Sequence, residues 1–216
     1  MPAPWHIGEL RREAALRRGQ SIGLYGGSFN PAHPGHLHVA KEGLKRLDLD
    51  EIWFLVSPGN PLKTDDAMAP FEERRSTVAA LVGKHPRIKV RSFEQRLGTR
   101  YTVDTINALK SELPTTNFIW LMGADNLATF DQWHAWQNIT ETVPIAVFDR
   151  SGYSLKGFKS GLAQQYAKFS VKPRHLKTTP APAWAFVTIP RHPGSATDIR
   201  KQQGDNWFAN KNGKET

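Results

Sequence analysis

Apolar residues along this 216-residue chain fall into two alternating patterns. Six short runs are rich in Ile, Val, Leu, Phe and Trp and bounded by Gly, Pro, Asn or Ser. They are residues 21–25 (SIGLY), 51–57 (EIWFLVS), 87–93 (RIKVRSF), 117–122 (NFIWLM), 144–148 (PIAVF) and 184–189 (WAFVTI). Their length and composition predict strands. Between them, residues 35–47, 71–82, 103–113 and 126–138 carry helical spacing; in the third, Val103, Ile106, Leu109 and Leu113 share one face. The alternation predicts an α/β fold, a Rossmann-like, doubly wound, mainly parallel sheet with helices on both faces. Residues 1–20 read as an N-terminal extension, 21–204 as one domain and 205–216 as a polar, frayed tail. Pro173, Pro180 and Pro182 mark 171–183 as an exposed loop.

In a sheet of this kind, ligands bind beyond the carboxyl ends of the strands. The segments at those ends are 26–36, 57–63, 123–126, 149–150 and 190–200, and they hold most of the polar residues of chemical interest. Gly26 and Gly27 follow the first strand, where glycine lets backbone N–H groups approach a phosphate. Pro34-Gly35 then opens a helix whose N-terminal end favours an anion, with His33 and His36 three residues apart beside it. An imidazole N–H there stabilises charge moving onto a leaving oxygen. A metal site built from His33, His36 and His38 is disfavoured, because no acidic or thiolate partner lies near them in the sequence. After the last strand, Ser195 or Thr197 can cap a second helix, with Arg200 one turn in to hold phosphate oxygens. Alone this is an ordinary helix cap; beside the first motif it supplies the other half of a triphosphate clamp.

Composition narrows the field. Hydrophobic content of 39% and charged content of 23% suit a globular protein. No apolar run reaches membrane-spanning length, and residues 1–20 lack the apolar core of a secretory signal. The absence of cysteine excludes disulfides, thiolate zinc sites and thiol catalysis, and it suits the cytoplasm. The net charge of +9 is uneven: between 151 and 197 there is no Asp or Glu, but there are Lys156, Lys159, Lys168, Lys172, Arg174, Lys177 and Arg191. Such a segment is a solvated basic face or a field for polyanions. On the second reading, Lys172, Arg174 and Lys177 form a lid over a triphosphate.

These motifs carry a resemblance. GGSFNPAHPGH (26–36) resembles the (H/T)xGH signature of the nucleotidyltransferase superfamily, and SATDIR (195–200) its ISSTxIR signature. RYTVDT (100–105) and GADN (123–126) followed by Trp133 resemble the SYTxDTL and GADxL…W stretches of the bacterial nicotinate-nucleotide adenylyltransferases. The resemblance implies transfer of an adenylyl group from ATP to nicotinate mononucleotide, with release of pyrophosphate, in NAD biosynthesis. It implies His33, His36 and Arg200 as catalytic groups on the phosphates. Gly26, Gly27, Ser28, Phe29, Gly123, Asp125, Ser195 and Thr197 would bind ATP, Asp125 at a ribose. Thr102 would hold the nicotinate carboxylate, Trp133 stack on the pyridine ring, and Lys63 and Arg150 hold the mononucleotide phosphate. Mg2+ would come with ATP, bound by phosphates and water rather than protein side chains.

The partners implied are small molecules, ATP and nicotinate mononucleotide, with no nucleic acid or membrane; self-association as a homo-oligomer stays open. Two departures stand out: Asn30 occupies a position where the family usually has Asp, and Asp149-Arg150-Ser151-Gly152 replaces a usual Arg-Pro-Gly. The alternatives are a different phosphate acceptor, such as nicotinamide mononucleotide, and nucleic-acid binding by the basic 151–197 segment. Against the latter, the chain has no KMSKS-like segment of the kind class I tRNA synthetases pair with their related HIGH motif.

Overall fold

A computed structural model describes residues 16–59, 68–93, 98–149, 160–204 and 207–208. Six strands form one sheet: β1 (Ser21–Gly27), β2 (Glu51–Val56), β3 (Ile88–Arg91), β4 (Asn117–Gly123), β5 (Ile145–Asp149) and β6 (Trp184–Thr188). The order is β3-β2-β1-β4-β5-β6 and every pairing is parallel. Winding reverses at β1, which pairs β2 on one side (Leu24 opposite Trp53) and β4 on the other (Leu24 opposite Trp120). A crevice at the carboxyl ends of β1 and β4 is the geometric consequence.

The helices are α1 (Pro34–Arg46), α2 (Phe71–Val82), α3 (Thr102–Glu112), α4 (Ala124–Leu127), α5 (Trp136–Thr142), α6 (Gly161–Gln165), α7 (Pro173–Leu176) and α8 (Ala196–Gln203). Side chains alternate across the sheet. Ile22, Leu24, Trp53, Trp120, Met122 and Val147 meet Val103, Ile106 and Leu109 of α3 and Ile139 of α5 on one face. Ile52, Phe54, Ile119, Leu121 and Phe148 meet Val39, Ala40 and Leu44 of α1, Val78 and Val82 of α2 and Leu176 of α7 on the other. Burying each large side chain stabilises the fold by about 1.5–3 kcal/mol, and both faces contribute. The doubly wound, parallel fold expected from the alternation is therefore the one observed.

Two expectations need correction. The helix expected over 126–138 is broken into α4, a 3-10 turn at Phe130–Gln132 and α5. Ala135 interrupts it with φ 49, a left-handed conformation, and the turn lets Leu127, Phe130 and Trp136 all enter one core. Residues 171–183 are not an open loop over the phosphate end. They contain α7, whose Leu176 is wholly buried, and Val171 N–H donates to Trp184 O at the start of β6. Lys177 pairs with Asp48 at 2.6 Å, beyond the C-terminal end of α1, and that contact holds the Asp48 carboxyl below its ordinary range. The 13-residue α1 puts this point about 20 Å from His33. Lys177 therefore lies on the side of the sheet where the strands begin, away from the crevice.

Candidate active site

A cavity of about 1000 Å3 opens at the carboxyl ends of β1 and β4. Its floor is the β1–α1 turn. Gly26 is required there by packing as much as by any ligand: a Cβ would stand 2.1 Å from the Trp120 ring. The Trp120 indole Nε1 is buried with no hydrogen-bond partner among the described residues. Phe29 takes the left-handed conformation, φ 47, and its ring is buried edge-on to His36 at 5.0 Å. Only the backbone of Phe29 is therefore suited to meet a nucleotide.

His33 and His36 cap α1 reciprocally. Gly35 N–H donates to His33 Nδ1 at 3.1 Å, and His33 N–H donates to His36 Nδ1 at 3.2 Å. Their rings lie 3.8 Å apart between centroids, and both are buried. With each Nδ1 accepting, the hydrogen-bond pattern assigns the proton of each neutral ring to Nε2. Two Nε2–H groups thus crown a helix N-terminus with Pro34 in its first turn and no acid there.

The opposing wall is α8. Ser195 Oγ accepts from Asp198 N–H at 3.3 Å as its cap. Arg200 reaches back across the cavity: Nη1 donates to Asn30 O at 2.5 Å and Nη2 to Thr197 Oγ1 at 3.5 Å. Gly194 is wedged at the seam, where a Cβ would be 3.0 Å from His33 Nδ1 and 3.1 Å from Gly35 N. Asn30 Oδ1 accepts from Ala69 N–H at 3.1 Å and from the Trp207 indole at 3.2 Å. Asn30, where the resemblance implies Asp, is thus an acceptor at a three-way junction. Trp207 itself is only 3% exposed, so this residue of the tail expected to fray is packed against the site.

Arg74 of α2 is buried beneath the turn. It donates to four backbone carbonyls: Ala69 and Pro58, and through Nη1 Ser28 and Ser57 at 2.7 Å each. It joins the β1–α1 turn to the loop after β2.

At the other end of the cavity, Thr102 begins α3, whose cap Tyr101 makes no side-chain capping bond. Arg100, Trp133 and His134 line the same end, with His134 against Tyr101 at 4.3 Å between centroids. Trp133 is half-buried and sits edge-to-face with Trp120 and Phe130. Asp125, in the first turn of α4, also lines the cavity, as do Gly27 and Ser28. Gly123 does not; it is buried as the last residue of β4. Lys63 and Arg150 lie outside the described residues. Among the described residues no group of three or more His, Asp or Glu is arranged to hold a metal ion, and no helix is long and apolar enough to cross a membrane.

Comparison with known proteins bears on this geometry. The cytidylyltransferase-like family matches residues 24–202, from within β1 to within α8. Probable nicotinate-nucleotide adenylyltransferases of Parvibaculum lavamentivorans and Ruegeria pomeroyi are 48% and 46% identical, over 90% and 92% of this chain and 98% and 92% of theirs. The chain belongs to the cytidylyltransferase-like family, among the nicotinate-nucleotide adenylyltransferases. A solved structure, Plasmodium falciparum nicotinic acid mononucleotide adenylyltransferase complexed with NaAD, shares the fold (TM-score 0.64, 18% identity) over 84% of this chain and 83% of that one. The nucleotidyltransferase class and the α/β fold expected from the motifs both hold.

Arg74, His192 and Trp207 went unremarked in the sequence. Arg74 had a readable signal: it follows Phe71 by three and precedes Val78 by four, a polar residue on the apolar stripe of α2.

Proposed function

We infer that the chain transfers the adenylyl group of ATP to nicotinate mononucleotide, yielding nicotinate adenine dinucleotide and pyrophosphate. The observation that carries this is the meeting of two helix N-termini, α1 with His33 and His36 and α8 with Ser195 and Arg200, over one cavity. A phosphate oxygen of the mononucleotide attacks the α-phosphorus of ATP, a bond to that oxygen forms, and the bond to the β-phosphate bridge breaks. The nucleophile is already anionic, so no protein base is needed. Rate comes from in-line positioning and from N–H donors placed where charge builds on the pyrophosphate. The Nε2–H groups of His33 and His36 and the remaining donors of Arg200 serve that role. Mg2+ enters with ATP as part of the substrate and offsets the charge of the leaving group. The reaction is proposed to run in the cytoplasm.

Acceptor choice belongs to the other end. The N-terminus of α3 at Thr102 and the nearby Arg100 favour a carboxylate over a neutral amide, and Trp133 offers an aromatic surface to a pyridine ring. The test is pyrophosphate release from ATP with nicotinate mononucleotide or its amide as acceptor. Release with the acid should exceed that with the amide by about tenfold or more in kcat/KM. No release with either acceptor would refute the assignment.

A further inference from the structure

We infer that His192 is a third imidazole donor to the polyphosphate of the incoming ATP, an assignment that rests on the adenylyl-transfer reading above. His192 lies beyond the end of β6, half-buried, and lines the same cavity as His33 and His36. Its Nδ1 accepts from Gly194 N–H at 3.0 Å. This repeats the local device by which Gly35 N–H holds His33, two residues on, at 3.1 Å. The same consequence follows: the neutral ring carries its proton on Nε2. Gly194 is flanked by both rings, since its Cβ position would be 3.0 Å from His33 Nδ1 and 3.1 Å from His192 Nδ1. The third imidazole is therefore mounted on the very residue that closes the seam between the two jaws.

His38 shows the contrast. Its ring lies beside that of His192, tilted by 35° at 5.6 Å between centroids, but its Nε2 donates to Pro190 O at 2.8 Å. That donor is used by the protein, whereas Nε2 of His192 has no hydrogen-bond partner among the described residues. His38 braces the ring and Gly194 fixes its rotation, leaving one oriented N–H at the border of an anion site. Metal binding is the poorer use of the same ring. With Nδ1 occupied by a backbone N–H and Nε2 protonated, no lone pair is available for a cation.

The experiment separates capping from donation. In His192→Asn the short amide can replace Nδ1 at Gly194 but cannot reach the cavity; in His192→Gln the longer amide places an N–H near the Nε2 position. Mg-ATP binding to the full chain is measured by calorimetry without any mononucleotide. The Asn variant should bind about tenfold more weakly than wild type, and the Gln variant should return to within about threefold. Wild-type affinity in the Asn variant would reduce His192 to a cap and overturn the inference, as would Gln binding as weakly as Asn. Wild-type chain that binds Mg-ATP but fails to use nicotinate mononucleotide would count against the acceptor reading alone. No Mg-ATP binding by wild type would overturn both.

Discussion

His36 is held by the backbone it helps to hold. Its Nδ1 takes the N–H of His33, and in exchange its own backbone N–H is bonded to His33 O at 2.8 Å. The side chain is thereby fixed before substrate arrives, and its donor needs no reorganisation as charge develops. His36→Ala should lower kcat by about 10²–10³-fold, the usual cost of removing one preorganised donor. Loss of the reciprocal cap should cost about 1 kcal/mol of stability, well short of unfolding. Steady-state kinetics beside a urea titration would check both; near-normal kcat would remove His36 from the chemistry. His33 and His36 were legible in the sequence because spacing, proline and glycine all sit within one turn. The bonding of Asn30 was not legible, because its Trp207 partner is 177 positions away.

At the scale of elements, the six strands and the first three helices were readable because each is a short periodic run with clear punctuation. The 126–138 stretch misled for a physical reason. Leu127, Phe130 and Trp136 have spacing compatible with a helix, yet tertiary burial pulls them into one core through a left-handed Ala135. Propensity lost to packing there. The same asymmetry hid Arg74, whose charge reads as surface while its position on α2 is core. Its four carbonyl acceptors come from two loops that bound the cavity, so it ties α2 to the phosphate turn. Arg74→Met keeps much of the apolar stem but strands those carbonyls in a buried site. It should cost about 3 kcal/mol or more, seen as a fall in Tm of about 6–12 °C. The KM for ATP should rise with it, since Ser28 loses its anchor. A variant with unchanged Tm and KM would show that the carbonyls find other donors and that Arg74 positions nothing.

At the scale of the molecule, the site is assembled from the two ends of the domain, and the fold alone brings them together. β1 and its turn begin the family-matched region and α8 ends it. The strand order places β1 and β4 centrally, with β6 on the edge, so α8 must reach inward from that edge to meet the turn. Arg200 makes the first tie, to Asn30 O, and Trp207 makes the second, to Asn30 Oδ1. Asn30 therefore reports whether the far end of the chain is seated. Trp207→Phe retains most of the buried apolar surface and deletes only the indole N–H. One hydrogen bond to a neutral acceptor contributes about 1 kcal/mol, so the domain should remain folded with a Tm lower by about 2–4 °C. The larger consequence should fall on the clamp. With that tie gone, α8 spends more time away from α1, and ATP affinity drops by the fraction of time the jaw is open. The expected signature is a several-fold rise in KM for ATP with kcat nearly constant and KM for the mononucleotide unchanged. Equal rises in both KM values would mean that Trp207 supports the domain as a whole and does not seat the ATP jaw.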